Sequence, residues 1–259
     1  MTKSIPFITL ISLALLSGCA DVITYSHDAQ REGMRLYNEG DFADAAGAFR
    51  NSVRQNPQNY ESNYWLGESY TKLQQYEQAI AAYKTARKTI NLTLAGKYDE
   101  EMHQKILDGL ANAIAVSDVK GNELDAAQQD ADHHGTAESW ILLAKIHARK
   151  GDADSAVDAY NRAALLEPRN FGVEKEYGLY LERIGQTERA AAPLKKAFSL
   201  DNQDADVAAA LRRLGIVPGP TVNSEAPAAS SRTGNAGNSS PIPTRPPAPA
   251  SPTVEAPRD

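Results

Sequence analysis

The side chains best suited to chemistry lie in one short run, Asp-Ala-Asp-His-His, at residues 130–134. Carboxylate oxygens and imidazole nitrogens this close together could bind zinc or nickel. Neighbouring residues on one backbone rarely point at the same metal ion, however, and the rest of the sequence supplies no further ligands at a recognisable spacing. We therefore interpret Asp130–His134 as a polar linker between two structural units, with a metal-binding or enzymatic site as the alternative.

No other pattern in the sequence indicates catalysis. The sequence contains no phosphate-binding Gly-Lys-Ser/Thr loop, no dinucleotide fingerprint, no Gly-x-Ser-x-Gly elbow and no His-Glu-x-x-His motif. His27, His103 and His147 stand far apart in the sequence and are interpreted as surface or groove residues. The sequence therefore predicts a protein that is not an enzyme and needs no cofactor.

The single cysteine, Cys19, directly follows a short apolar segment at the amino terminus. Lys3 gives this segment a positive start, and its apolar residues are too few to span a bilayer. An exported protein normally pairs its cysteines or lacks them, so a lone cysteine after a secretory signal needs a separate explanation. We predict a signal peptide at 1–18 and a linker at 19–25 that begins with the cysteine.

The residues before this cysteine, Leu16-Ser17-Gly18, resemble a bacterial lipobox, in which small residues mark the cleavage point and the cysteine becomes lipidated. The resemblance implies acyl chains on Cys19, each buried methylene of which adds about 0.8 kcal/mol of membrane affinity. In lipoproteins of this kind, an aspartate directly after the cysteine favours retention in the inner membrane. Ala20 stands at that position, so the resemblance implies a lipid-anchored protein of the outer membrane that faces the periplasm.

The overall charge limits the choice of partners. The chain has 27 Lys and Arg residues against 33 Asp and Glu residues, for a net charge of −6. A protein that binds nucleic acid or an anionic lipid surface needs a basic face. The composition therefore argues against a nucleic-acid partner.

Much of the chain repeats with a period of 34 residues, as in Gly33 and Gly67 or in Ala156 and Ala190. Apolar residues within each unit recur at helical spacing, which predicts two amphipathic helices per unit. The positions that carry the pattern are Gly33, Gly40, Ala45, Phe49 and Pro57; Gly67, Gln74, Ala79, Tyr83 and Asn91; Trp140, Ala144, Gly151, Ala156, Tyr160 and Pro168; and Tyr177, Gly178, Gly185, Ala190, Leu194 and Asn202.

This pattern resembles the tetratricopeptide repeat, in which an aromatic or Leu-Gly/Ala pair in a first helix precedes an Ala-x3-aromatic-x2-Ala second helix. The resemblance implies an all-α superhelix of about five stacked helix pairs over residues 26–214. Four units match, at 26–59, 60–93, 137–170 and 171–204. Residues 205–214 are expected to form a helix that caps the last unit.

Residues 94–136 break the register of the repeats. Here we predict a degenerate third unit that starts near residue 107, after an insertion at about 94–106. Its helices are expected near Asp99–Ser117 and Leu124–Asp130, because apolar residues recur at helical spacing in the first of them.

The composition changes after Gly215, because ten of the fourteen prolines lie between residues 218 and 257 and no aromatic residue follows Phe198. Such a segment buries too little apolar surface to offset its chain entropy, so we predict a disordered tail at 215–259. The Pro-x-x-Pro spacing at Pro243–Pro246 could dock in an aromatic groove. It is also expected in any proline-rich linker, which is the interpretation we favour.

The first helices of a tetratricopeptide array line a groove, so their exposed positions are the candidate contacts for a partner. The resemblance places eleven residues there: Tyr37, Asn38, Tyr64, Glu68, Lys72, Ile141, Lys145, Arg149, Lys175, Leu179 and Arg183. The four cations among the last six predict a basic half of the groove, suited to an acidic peptide or a C-terminal carboxylate. Pairing of these cations with nearby acids such as Glu138 and Glu182 is the alternative.

A lipid-tethered array of this kind resembles the tetratricopeptide lipoproteins of pilus and secretion systems, such as the tight-adherence pilus lipoprotein and secretin pilotins. The resemblance implies a membrane-anchored scaffold or assembly factor that binds another protein. A lipoprotein that coordinates assembly of the outer membrane or the cell wall would use the same architecture, and this alternative stays open.

Overall fold

The computed structural model describes residues 27–91, 99–117 and 122–219. These residues form eleven helices and no strand, and all of them belong to one structural unit. The predicted signal peptide, Cys19 with its lipid, and the predicted tail from residue 220 onward lie outside the described residues. The all-α class is confirmed for the described part of the chain.

The helices follow one another up and down, with short turns within each pair. They are α1 (27–39), α2 (Phe42–Gln55), α3 (Tyr60–Lys72), α4 (Tyr76–Asn91), α5 (Glu100–Ser117), α6 (Asn122–His134), α7 (Ala137–Lys150), α8 (Ala153–Leu166), α9 (Phe171–Arg183), α10 (Thr187–Leu200) and α11 (Ala205–Arg213).

Short polar side chains set where most of the later helices begin. The side-chain oxygen of Asn59 accepts a hydrogen bond from the backbone N–H of Ser62 and so caps α3. The side chains of Thr136, Asp152, Asn170 and Asp204 do the same for α7, α8, α9 and α11. Gly151 adopts a φ of 81° at the end of α7, a conformation that favours glycine and lets the chain turn at once into α8.

In three of the regular pairs, a glycine of the first helix faces a large residue of the second. A Cβ at Gly33 would lie 2.7 Å from the Phe49 ring, and one at Gly178 would lie 2.6 Å from Leu194. Such approaches are possible only because glycine has no side chain, so they bring the two helix backbones unusually close. The fully buried Phe49 and Leu194 show that this packing forms the interior of the pairs.

The apolar interior runs almost without interruption along the array. One cluster of buried residues extends from Tyr64 in α3 to Leu211 in α11, and a smaller one joins α2 to α3 and α4 around Phe49. Every helix pair therefore shares core residues with its neighbours, as stacked repeats require. This continuity confirms a single helical array with a capping helix, as predicted, instead of two separate pairs.

The third pair agrees with its prediction only in part. Helix α5 runs from Glu100 to Ser117, which confirms the helix predicted near Asp99–Ser117. Helix α6 runs from Asn122 to His134 and therefore includes Asp130–His134, which is not the linker that we expected. The whole of α6 buries only Ala127 and Ala131, and it packs more closely on α7 than on α5.

A half-buried polar cluster compensates for the weak packing of this irregular pair. Glu138 of α7 forms an ion pair with Arg87 of α4 and lies 3.5 Å from the Nε2 atom of His103 in α5. Asn91 of α4 donates a second hydrogen bond to the same carboxylate at 3.1 Å. Burial by itself would raise the pKa of Glu138, but the hydrogen bond from His103 and the charge of Arg87 lower it to about 2. His103 is buried, so its interpretation as a surface or groove residue is wrong.

Substitution of Gly67 tests the close approach of the paired helices. A Cβ there would lie 2.7 Å from the Tyr83 ring, which cannot move away because Gly109 faces its other side. We expect Gly67→Ala to lower the free energy of unfolding by roughly 1–3 kcal/mol in urea titrations. The control is Gly47→Ala, whose Cβ would meet nothing within 4 Å and which should raise stability by up to about 1 kcal/mol. Equal stability of the two variants would contradict this packing.

The low pKa of Glu138 predicts a pH-dependent contribution to stability. A carboxyl group whose pKa is lower in the folded state stabilises the fold above its unfolded pKa, and this contribution is lost as the pH falls toward its folded pKa. We expect Glu138→Gln to cost roughly 1–3 kcal/mol at neutral pH, and this cost to shrink between about pH 5 and about pH 2. The exposed Glu101→Gln variant should change stability by less than about 0.5 kcal/mol at any pH. A cost of Glu138→Gln that does not vary with pH would disprove the assignment.

Candidate functional site

A cleft of about 920 Å³ lies over the first helices α5, α7 and α9. Its charged lining residues are Glu100, Glu101, Lys105, Asp108, Lys145, Arg149, Lys175, Glu176 and Arg183. Its apolar lining includes Tyr160, Phe171, Leu179, Tyr180 and Ile184. Five of the residues predicted to contact a partner, from Lys145 to Arg183, therefore lie together around one concave surface.

The apolar wall of this cleft has a fixed shape. Tyr160 stacks on Tyr177 with ring centroids 6.1 Å apart and lies 5.2 Å from the ring of Tyr180. Tyr160 is buried among these rings, with only 4% of its surface exposed, so it cannot swing out. These buried rings support the partly exposed side chains of Phe171, Leu179 and Ile184, which are the apolar groups of the cleft that a partner can reach.

Lys145 joins the three first helices at the floor of the cleft. Its ammonium lies 3.2 Å from Asp108 of α5 and 2.8 Å from Glu176 of α9, and its side chain is only 7% exposed. Arg149 adds a second cation to Asp108 at 2.8 Å. Burial would raise the pKa of Asp108, but Lys145 and Arg149 together lower it. The floor is thus a structural charge network that crosses the repeat interfaces.

Glu176 is the least well compensated member of this network. Burial raises its pKa, the charge of Lys145 offsets this only in part, and the nearby carboxylates of Asp108 and Glu100 raise it further. The side chain is 17% exposed, so it still reaches the cleft.

The remaining cations of the cleft differ in whether a carboxylate neutralises them. Lys175 lies 2.6 Å from Asp204 and 3.0 Å from Asp206, so it ties α9 to the capping helix. The Arg183 guanidinium lies 5.1 Å from the centre of the Tyr180 ring, and no carboxylate of the described residues pairs with it. Three of the four predicted groove cations are therefore already neutralised.

This result corrects the predicted basic groove. Glu138 and Glu182, the acids considered as neutralising partners, instead pair with Arg87 and Arg213. The carboxylates that do neutralise the cleft are those of Asp108, Glu176, Asp204 and Asp206. Asp108 was not predicted, because the 34-residue register is broken in the third unit and its first helix could not be aligned with the others. Glu176 could have been found from the repeat, because it stands 34 residues after Leu142, and this equivalent position in the preceding unit is buried.

Two predicted contact residues, Tyr64 and Ile141, are wrong, because both are buried in the core. Ile141 is 4% exposed and belongs to the core, so it cannot touch a partner. The helix α7 passes through the middle of the array and is buried on most of its surface, with Ala137 and every residue from Ser139 to Ile146 in the interior. A helix register taken from the repeat alone does not distinguish such a central helix from one with a solvated face.

The predicted contacts of the first two units lie around an aromatic cluster. The Tyr37 ring contacts Trp65 edge-on at 5.1 Å, and Trp65 contacts Tyr64 at 5.1 Å. Glu68 accepts hydrogen bonds from the hydroxyl groups of Tyr83 at 2.6 Å and Tyr37 at 3.4 Å. Burial and the Glu68 charge raise the pKa of Tyr37 to about 12. The other predicted contacts in this half, Asn38 and Lys72, are exposed.

The Asp-Ala-Asp-His-His run borders a second, smaller cleft of about 550 Å³ between α4 and α6. His134 lies 2.9 Å from Asp130, which in turn lies 3.4 Å from Arg87. Within the described ranges, no three His, Cys, Asp or Glu side chains converge as metal ligands would. The geometry therefore gives the metal-binding alternative no support.

The described helices do not have the properties of a membrane span. None of the helices within 27–91, 99–117 and 122–219 combines the length and the apolar character that crossing a bilayer requires.

Comparisons with known proteins agree with the helix pairs of the fold. Models of the tetratricopeptide repeat match residues 31–91 and 137–170. A curated relative, the BBSome complex member BBS4 homolog of Drosophila melanogaster, is 21% identical over 183 residues, which are 66% of this chain and 36% of that protein. The chain thus spans only about a third of the length of this relative.

Several solved structures are similar to this chain at low identity. A MamA protein is 22% identical with a TM-score of 0.35, covering 70% of this chain and 94% of that one. TTC0263, a thermophilic TPR protein of Thermus thermophilus, is 18% identical with a TM-score of 0.40, covering 73% and 98%. YrrB, a TPR protein with an unusual peptide-binding site, is 13% identical with a TM-score of 0.37, covering 71% and 90%. At this identity and TM-score, none of these likenesses carries information on function.

Two independent observations identify the repeats. Regular helix pairs with small residues facing large ones lie at α1–α4 and α7–α10, and the matched ranges fall within these same pairs. The chain contains tetratricopeptide repeats.

Proposed function

We propose that this protein is a lipid-anchored scaffold or assembly factor of the cell envelope, which binds a segment of another protein in the cleft over α5, α7 and α9. The observation that carries the proposal is the cleft itself, with partly exposed apolar side chains beside charged ones. Tetratricopeptide repeats bind other proteins or peptides, and a concave surface that combines apolar side chains with a polar rim suits that role.

The polar groups of the cleft favour binding over catalysis. Lys145, Asp108 and Glu176 are engaged with one another across three helices, which holds the array together. A catalytic acid or base needs a proton-transfer partner in a substrate, and a residue locked into a structural network is poorly placed to serve it. We therefore propose no enzymatic role.

The lipid anchor and the location rest on the amino-terminal sequence. A lipidated Cys19 followed by Ala20 supports attachment to the outer membrane on its periplasmic side. Only a few residues separate this cysteine from α1, so the array would be held close to the membrane surface. Together with the helical array, this architecture supports a role in assembling a pilus or a secretion system.

A photo-cross-linking experiment tests the binding site without knowledge of the partner. A photoreactive amino acid in place of Leu179, inside the cleft, should give a discrete covalent adduct with one envelope protein in living cells. The same substitution at Leu165, which is 72% exposed and outside the cleft, should not give this adduct. Mass spectrometry of the adduct identifies the partner. Equal cross-linking at both positions, or none at Leu179, would exclude the cleft as the binding site.

Replacement of the anchoring residue tests the localisation. We expect Cys19→Ser to abolish labelling by radioactive palmitate and to release the protein from sedimented membranes, because the acyl chains supply its membrane affinity. Thr24→Ser, a change of similar size behind the cleavage point, should leave both unchanged. If the Cys19→Ser protein still sediments with membranes after a carbonate wash, the anchor lies elsewhere.

A further inference from the structure

The charges of the cleft are separated along the direction of its helices. Because α5, α7 and α9 are alternate members of an up-and-down array, their amino-terminal ends lie on the same side. A Cβ at Gly172, in the first turn of α9, would lie 2.9 Å from the carboxylate of Glu100, the first residue of α5. Arg149 and Arg183 stand at the opposite, carboxy-terminal ends of α7 and α9.

The amino-terminal end of the cleft carries an excess of negative charge. Glu100 and Glu101 open α5, and Glu176 lies one turn inside α9. Lys105 pairs with Glu101, but Lys175 is already shared by Asp204 and Asp206, so it does little to neutralise the cleft. The partly buried and poorly compensated carboxylate of Glu176 would gain from a cation brought by a partner.

A buried polar atom at this end also lacks a hydrogen-bond donor. Gln104 lines the cleft, and its Nε2 donates to Glu100 at 2.8 Å. Its Oε1 atom is buried and accepts no hydrogen bond from the described residues. A buried acceptor without a donor is costly, and a donor from a bound segment would remove that cost.

The carboxy-terminal end of the cleft has the opposite character. The guanidinium of Arg183 is exposed, rests on the Tyr180 ring, and has no carboxylate among the described residues. Arg149 stands 34 residues earlier, at the equivalent position of the preceding unit, and shares Asp108 with Lys145. The nearby Asp152 is occupied, because it caps α8 and lies 3.2 Å from His147. Both guanidinium groups attract an acidic side chain of a partner at this end of the cleft.

The apolar wall lies between these two ends. Leu179, the partly exposed apolar residue of this wall on α9, stands midway between Glu176 and Arg183 along the helix. The distance from the first to the last turn of α9 is about 15–18 Å at 1.5 Å per residue. An extended chain advances about 3.3 Å per residue, so roughly five residues cover this distance.

We propose that the cleft selects and orients its partner by charge: it takes an extended segment with a Lys or Arg side chain at the Glu100–Glu176 end, an apolar side chain against Leu179, and an Asp or Glu side chain at the Arg149–Arg183 end. The inference rests on the proposed binding function and refines it. A uniformly acidic segment would bring like charges to Glu100 and Glu176, and a uniformly basic one would meet Arg183. A partner bound backwards would do both, so the cleft fixes the direction of the chain as well as its composition.

A displayed library of random peptides about ten residues long tests this proposal on the mature full-length protein in detergent. We expect enriched peptides to carry a basic and an acidic residue about five positions apart, in a constant order, with an apolar residue between them. The affinity of one enriched peptide is then compared by fluorescence anisotropy with that of a peptide in which these two charged residues are exchanged. The exchanged peptide should bind at least about tenfold more weakly.

A charge exchange in the protein should reverse this preference. Both Glu100 and Arg183 are exposed, so the double variant Glu100→Lys/Arg183→Glu can fold without new buried charge. It should bind the exchanged peptide more tightly than the original one. The matched control Glu188→Lys/Arg212→Glu makes the same exchange at exposed positions of α10 and α11 that do not line the cleft, and it should keep the original preference.

The possible results separate the two proposals. Enriched peptides that lack a constant order of charges, or a double variant that keeps the original preference, would overturn the charge-polarity inference while leaving the binding function intact. A library from which no peptide is enriched, together with no cross-link at Leu179, would overturn the binding function itself.

Discussion

The architecture depends on one steric constraint, which is that the two helices of a pair approach closely only where a glycine or alanine faces a large side chain. Gly33 against Phe49, Gly67 against Tyr83 and Gly178 against Leu194 are repeated instances of it. Because the backbones are so near, each hairpin has a defined shape, and stacking such hairpins buries a continuous core. The orientation of every first helix, and with it the position of each cleft residue, follows from these contacts.

The third pair shows what happens where this constraint is relaxed. Helix α6 buries two alanines and little else, so apolar packing alone holds it weakly. Charged side chains connect the helices here instead. Glu138 links α4, α5 and α7, and Lys84 of α4 forms an ion pair with Glu123 of α6 at 2.6 Å. Such contacts tolerate a change of register better than interlocking rings do, since long side chains can adjust. The array thus continues through an irregular unit without losing its continuity.

The cleft joins these two kinds of interaction in one surface. Its aromatic wall belongs to the apolar interior, whereas its floor is a network of paired charges that spans three units. Most of these charges stabilise the fold, and only the charges at the two ends of the cleft can still pair with side chains of a partner. A site built in this way offers a partner shape complementarity in the middle and opposite electrostatic preferences at its ends.

The amino-acid sequence by itself determined the helix pairs and their period. The small and large residues that recur every 34 positions pack within one helix pair, so their pattern does not depend on how the pairs stack. The sequence also located the first helices on which the cleft lies. Only the tertiary structure decided which charges remain available, since Lys145 and Lys175 are neutralised by Asp108 and Asp204, which lie 37 and 29 residues away from them in the sequence. It likewise decided that Ile141 is core and that α6 continues to His134. Burial and ion pairing between units depend on how the helices stack, and a repeat pattern carries no information on that where its register is broken.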